Sequence, residues 1–381
     1  MGYLSVKYMG SKRSMLTNGL GDALSQSIAE CNRVFDMFTG SGAVAWHVAQ
    51  KYDREVIASD LQSYAVALAA GVIERTEPLA DHRWLDRWFD RAKEMQPSRF
   101  LQKATNLQEK LEVEQIAWSA TEARELCADF NLPICFAYGG YYFSPFQALW
   151  LDTLRMALPK DVNQRRVGLA ALIIAASQSA AAPGHTAQPF KPNQTAGRFL
   201  KEAWMKDIQF LVKRAAFDVS EKCARKAGRA VVANANELAR QVGEGDLVFL
   251  DPPYSGVHYS RFYHVLETIA VGKVGEISGT GRYPPPSDRP RSDYSLRTKS
   301  KSVFEGLLRN ISEKGASAIV TFPAGAASNG MSGQDVVDVS ERHFSILERK
   351  VSSRFSTLGG DKKHRDARLV TEELILVLSP Q

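Results

Sequence analysis

The sequence predicts an α/β protein, a Rossmann-like parallel sheet interrupted by a mainly helical insertion. Three observations carry this. The first seventy residues read as strand, turn, helix and strand; strand-like runs return beyond the middle of the chain; and the stretch between them follows helical periodicity with no strand series. At 381 residues the chain exceeds the usual single-core size, which favours a large domain carrying an insertion, or two domains. The boundaries fall at residues 1–75 and 230–381 for the sheet-bearing domain and 76–229 for the insertion.

Taken in order, Arg33 to Phe38 is a short apolar run ending in a Gly-rich turn. Ala43 to Ala49 then sets Val44, Ala45, Val48 and Ala49 on one helical face, and Glu55 to Ser59 forms the next strand, ended by Asp60. Connections this short favour a doubly wound arrangement. From about Thr76 to Arg229 the pattern lengthens into helices, including Trp84 to Met95 and Glu114 to Phe130, broken by an aromatic and Gly-rich loop around Tyr138 to Phe146. Strand-like runs resume at Ala230 to Ala233, Asp246 to Leu250, Ala316 to Phe322, Phe344 to Val351 and Glu373 to Leu378. Ser278 to Ser302, rich in Pro, Ser and Arg, should be a loop, either a solvated connection or a basic strap over a phosphate backbone.

Composition excludes more than it selects. Hydrophobic residues at 44% and charged ones at 24% are ordinary for a globular chain and argue against extensive disorder. A net charge of +6 suits a polyanion partner, since neutralising phosphates releases condensed counterions, but an evenly solvated basic surface has the same composition. Cys31, Cys127, Cys135 and Cys223 form no C-x-x-C pair, so neither a zinc site nor a disulfide framework is expected and no metal is predicted. Met1 to Arg13 has no apolar segment of the secretory kind, and the longest apolar run, Leu169 to Ala176, is too short to span a bilayer. The expected setting is a reducing cytoplasm with no membrane partner.

Two motifs carry chemistry. Asp36-Met-Phe38-Thr-Gly40-Ser41-Gly42 follows the first strand, and its glycines remove Cβ atoms where a ligand must approach the backbone. Asp60 ends the second strand 18 residues after Gly42, where a carboxylate can accept both hydroxyl hydrogens of an adenosine ribose. A methyl donor and a nicotinamide dinucleotide both satisfy this pattern, as does an ordinary tight turn.

The second motif breaks the tie. Asp246 to Leu250 is a buried-strand pattern, and Asp251-Pro252-Pro253-Tyr254 sits at its carboxyl end, the edge where open α/β sheets bind ligands. The prolines fix φ and remove two backbone donors, leaving carbonyls that only accept. An exocyclic aromatic amine is a poor nucleophile because its lone pair is delocalised, so methylating it requires acceptors that hold its hydrogens. Asp251 and the Pro252 carbonyl supply such acceptors, and Tyr254 offers a ring for the base to stack on. A base in a duplex would have to be flipped out to reach them.

These residues resemble the DNA adenine methylase family in which the Gly motif precedes, and the Asp-Pro-Pro-Tyr motif follows, an inserted target-recognition region. Lys7-Tyr8-Met-Gly10-Ser-Lys12-Arg13 looks like that family's N-terminal element, which implies that Lys7, Tyr8, Gly10 and Lys12 lie at the methionine end of the cofactor. The segment His258 to Glu267, Tyr142 to Ser144 with Asp152 to Arg155, Thr321 to Gly325 and Glu372 to Ile375 also look familial, whereas most of residues 76 to 230 do not. Asn234-Ala-Asn236-Glu237 ends a strand where this family contacts the cofactor adenine, though a strand-ending turn would choose Asn as well.

The resemblance implies S-adenosylmethionine as cofactor, with Asp36 at its amino-acid end and Asp60 at its ribose. It implies double-stranded DNA as partner and adenine N6 as acceptor. It leaves open a cognate restriction endonuclease or defence complex. Rival readings are N4 of cytosine or an RNA amine as acceptor, a DNA-binding subunit without turnover, and a dinucleotide oxidoreductase, for which no hydride-transfer acid is evident. Lys191 to Arg229 interleaves basic residues with apolar helix positions, as a solvated face or a phosphate-tracking surface would.

Overall fold

The computed structural model describes residues 5–354 and 370–381. The chain divides into two compact units, one of Tyr8–Glu77, Cys223–Tyr259 and Pro290–Gln381, the other of Met1–Lys7, Pro78–Lys222 and Ser260–Arg289.

The first unit is built on a sheet. Its described strands are β1 (Arg33–Asp36), β2 (Glu55–Asp60), β3 (Arg229–Val232), β4 (Leu247–Leu250), β5 (Ser317–Pro323), β6 (Phe344–Arg354) and β7 (Val370–Pro380). They lie in the order β3-β2-β1-β4-β5-β7-β6, parallel except that β7 runs antiparallel to β5 and β6. All of β4 is buried, as an uninterrupted apolar run in a sheet covered on both faces should be. The helix Ser300–Glu313 lays Phe304, Leu307, Leu308 and Ile311, spaced at helical intervals, into the core that holds Val248, Leu250, Ala318 and Val320.

Strand order and direction position the site. The parallel strands β1, β2, β4 and β5 all end on one edge, which gathers Asp36, Asp60 and, one residue past β4, Asp251. Because β7 is antiparallel, it starts near that edge: Glu373 pairs with Pro323, and Ile375 with Thr321. The chain reverses at the centre of the sheet, where β1 neighbours both β2 and β4, and this is where open α/β sheets place ligands.

The second unit is helical. Arg83–Glu94 buries Trp84, Leu85, Trp88, Phe89 and Ala92 on one face, and Ile116–Ala128 buries Ile116, Ala120, Ala123 and Cys127. Both match the helices expected from periodicity. The apolar run Leu169 to Ala176 lies inside the buried helix Val162–Ser179; no helix among the described residues is long and apolar enough to cross a membrane. The loop expected around Tyr138 to Phe146 is a turn between helices Pro133–Tyr138 and Pro145–Met156, the second opened by a capping box of Ser144 and Gln147. Asp152, on that helix, accepts from the backbone N–H groups of Ile134 (2.9 Å) and Cys135 (2.7 Å) and so caps the first turn of its neighbour.

Ser260–Arg289, read from sequence as part of the sheet-bearing region, gathers with the helical unit. The helix His264–Val271 buries Val265, Leu266 and Ile269, Arg155 donates to the carbonyls of Ile269 and Ala270, and the Tyr138 hydroxyl bonds Thr268. Tyr263 is core, and His264 is held between the carbonyls of Arg261 and Gly281, with burial pushing its pKa down to about 4.

Candidate active site

Gly40 and Gly42 adopt φ values of 52° and 75°, the left-handed region that glycine tolerates best, and they turn the chain from β1 into the helix Ala43–Lys51. A Cβ on Gly40 would come within 2.7 Å of the Tyr8 ring, so the loop is made for close approach. The Gly40 N–H donates to Asp60 Oδ2 at 2.9 Å and the Gln62 N–H to Asp60 Oδ1 at 3.0 Å, which fixes the carboxylate at the end of β2.

Asp36 is almost fully buried. Its Oδ2 accepts from the Ala45 N–H at 3.1 Å, and its Oδ1 has no hydrogen-bond partner. Burial pushes its carboxyl up to about 8, and the neighbouring charges of Asp251 and Asp60 add to the rise. An orphaned buried carboxylate oxygen costs free energy unless a donor meets it, so this position fits a cationic ligand group such as the ammonium of an amino-acid moiety. Tyr8, Gly10, Ser11, Lys12, Asp36, Phe38, Thr39, Gly40, Ser41, Phe249 and Asp251 line one cavity.

Asp251 stands at the mouth of β4. Its Oδ1 receives Lys12 Nζ at 3.1 Å and Thr321 Oγ1 at 2.9 Å, while Oδ2 accepts no hydrogen bond among the described residues. Burial raises its pKa to about 6, with Glu373 adding to the rise and Lys12 and Thr321 opposing it. For Lys12, burial alone would lower the pKa, but the carboxylates of Asp251 and Glu373 outweigh it and hold the ammonium charged. Burying such a cation is tolerable because both partners are in direct contact.

The following loop is pinned by a residue that the sequence did not single out. Asn329, buried, donates from its side chain to the Pro253 carbonyl (2.9 Å) and from its backbone to the Tyr254 carbonyl (3.2 Å). The Pro252 carbonyl accepts nothing among the described residues. Two of three successive carbonyls are thus engaged and the one adjoining Asp251 is left available. The half-buried Tyr254 ring stands edge-on to Phe322, with ring centres 6.3 Å apart, and close enough to Gly10 that a side chain there would strike its hydroxyl.

Of the expected cofactor residues, Lys7, Gly42, Asp60 and Asn236 do not line this cavity; Gly42 and Asp60 stand in the turn and strand end beside it, the other two elsewhere. Lys7 belongs to the helical unit, where its N–H bonds Ser177 Oγ at 2.8 Å and burial lowers its pKa to about 8. The Asn236 side chain donates to the Val303 carbonyl and accepts from the Tyr294 hydroxyl, so its amide braces the helix Ser300–Glu313. Conversely Ser11, Phe249, Thr321, Asn329 and Glu373 were missed as site residues. Their roles arise from strand pairing and loop packing; the stretches holding Thr321 and Glu373 look familial, and a buried-type strand carrying a hydroxyl or carboxylate was a further signal, but neither assigned them to the site.

The family described as D12 class N6 adenine-specific DNA methyltransferase matches residues 8–127 and 191–308, which include the Gly motif, Asp60 and Asp251 to Tyr254. The chain belongs to this family. It is 26% identical over 293 residues to the type II methyltransferase M.FokI of Planomicrobium okeanokoites, an alignment covering 73% of this chain and 39% of that protein. Identity to the modification methylase StsI of Streptococcus sanguinis is 24% over 316 residues, covering 80% and 42% respectively. Identity to the type II methyltransferase M.NlaIII of Neisseria lactamica is 23% over 320 residues, 80% of each chain. The chain thus spans about two fifths of the first two relatives and most of the third.

Proposed function

We propose that the chain transfers a methyl group from S-adenosylmethionine to N6 of adenine in double-stranded DNA, in keeping with the description of its family. The observation that carries this reading is the acceptor pair at the end of β4: Asp251 Oδ2 and the Pro252 carbonyl, both without partners among the described residues, beside a cavity with an unsatisfied buried carboxylate oxygen on Asp36. When bound, the donor supplies an electrophilic methyl on a positively charged sulfur.

The protein's part is positioning. Asp36 holds the donor's ammonium, Asp60 its ribose hydroxyls, and the Gly40 to Gly42 turn admits the rest without side-chain hindrance. Asp251 and the Pro252 carbonyl accept the two amine hydrogens, which orients the nitrogen lone pair, and Tyr254 stacks on the flipped base and offsets part of the unstacking cost. The helical unit reads target sequence in this proposal, and its basic residues hold phosphates. Lys201 pairs with Glu112, Lys213 with Asp86 and Arg214 with Asp218, so each contributes less than a lone cation would. A cognate restriction endonuclease or defence complex is the partner this activity would protect against.

The test is incubation with radiolabelled S-adenosylmethionine and mixed-sequence duplex DNA, followed by nucleoside digestion and chromatography, with Asp251→Ala as control. Label in N6-methyladenine is expected. Label in cytosine or RNA would move the acceptor, and donor binding without transfer to any nucleic acid would overturn the reading.

A further inference from the structure

Asp251 is gripped from one side. Lys12 Nζ and Thr321 Oγ1 converge on the same oxygen, Oδ1, at 3.1 and 2.9 Å. A carboxylate bonded through one donor can swivel about its own axis, whereas two donors from different directions on one oxygen fix its plane. Thr321 is wholly buried in β5 between Val320 and Phe322, where valine would fill the same volume, and its hydroxyl makes just this hydrogen bond among the described residues. Packing does not account for it.

Lys12 is held in turn. Its Nζ also contacts Glu373 Oε2 at 2.9 Å, and both side chains are about 4% exposed. Glu373 reaches this place only because β7 runs antiparallel and begins beside the end of β5. An Asp–Lys pair alone matches one carboxylate to one ammonium and offers little to a developing cation; Glu373 brings a second carboxylate to the same ammonium, so the set holds one carboxylate in excess. That excess sits where positive charge must appear. As the amine nitrogen's lone pair forms the new N–C bond, the electrons of the old S–C bond stay on sulfur and the positive charge passes to nitrogen. A proton then leaves that nitrogen for Asp251 Oδ2.

We propose that Thr321 and Glu373 are positioning residues for methyl transfer: Thr321 turns Asp251 so that Oδ2 faces the amine, and Glu373 divides the Lys12 charge so that Asp251 keeps its strength as an acceptor. The inference rests on the reading of this site as an amine methyltransferase. The charged groups facing Asp251 are Lys12 from the N-terminal segment, Glu373 from β7 and Asp36 from β1.

The experiment compares wild type, Thr321→Val, Thr321→Ser and Glu373→Gln for kcat against pH, DNA KM, donor affinity by calorimetry, and melting temperature. Thr321→Val should lower kcat about 10- to 100-fold, in the range for loss of a partner that orients a reacting group, with donor affinity and KM unchanged. Its acid limb should move to higher pH, because a bond favouring the ionised carboxylate is gone. Thr321→Ser should restore most of the rate. Glu373→Gln should also lower kcat at unchanged donor affinity, with its acid limb moved to lower pH. Variants that only melt earlier, with wild-type kcat and unmoved limbs, would overturn the inference and leave the function intact. A wild-type chain that binds donor and methylates no amine would overturn the function, and this with it.

Discussion

Asp152 in the helical unit and Asp251 in the sheet unit are both aspartates whose burial raises the pKa to about 6. Their surroundings differ in kind. Asp152 has each oxygen committed to a backbone N–H, those of Ile134 and Cys135, at a helix start. Asp251 has two donors on one oxygen and the other left open beside an acceptor carbonyl. A shifted pKa marks both, so it does not separate a structural carboxylate from a reacting one. The unspent oxygen does.

The largest expected effect breaks the pair apart. Asp251→Ala should reduce methyl transfer by about 10³-fold or more while donor binding stays near wild type. Asp152→Ala should do the reverse, destabilising the fold by roughly 2–6 kcal/mol by orphaning two buried donors, with normal turnover in the protein that remains folded. If Asp152→Ala abolished turnover in fully folded protein, the distinction would fail.

A pH profile sharpens the contrast. On the proposed reading transfer requires ionised Asp251, so kcat should rise with pH through about 6 and level off above it. A flat profile from pH 5 to 8 would remove Asp251 from the proton balance.

Asp36 offers a third, intermediate comparison, since one of its oxygens is satisfied and the other is not. Its folded pKa of about 8 lies above the ordinary carboxyl value, so the free protein binds an extra proton relative to the unfolded chain between about pH 4 and 8 and loses stability as pH rises across that window. Asp36→Asn should match wild type near pH 4, melt a few degrees higher at pH 8, and bind S-adenosylmethionine about tenfold or more weakly. Thermal melts at the two pH values and calorimetry check this.

The smallest effect belongs to the helical surface. Lys213→Ala breaks an exposed pair with Asp86, and such pairs contribute little. It should change DNA KM less than about threefold at moderate salt. A tenfold rise with a flatter salt dependence would instead make Lys213 a phosphate contact.

How far the sequence was legible follows from the range over which each feature is encoded. Gly40, Gly42, Pro252 and Pro253 announced themselves because a left-handed turn and a rigid acceptor loop are local backbone requirements met by few residue types. The strands of the sheet and the helices Arg83–Glu94 and Ile116–Ala128 were visible in hydrophobic periodicity. Helices such as Pro133–Tyr138 and Pro145–Met156 were not separated from the turn between them, since most of that segment is buried and its few exposed positions, Phe136 and Met156 among them, are apolar and set no polar period.

By itself, then, the sequence determined the fold class, the strand-end aspartates and the acceptor loop, all written within short windows of chain. Only the tertiary structure decided which oxygen of Asp251 is free, that Asn329 pins the loop, and that Lys12 meets Glu373 across 361 residues of sequence. The physical reason is that strand order and the antiparallel direction of β7 are settled by packing of the whole sheet, and no local residue pattern encodes which distant side chains that packing will bring within a hydrogen bond of one another.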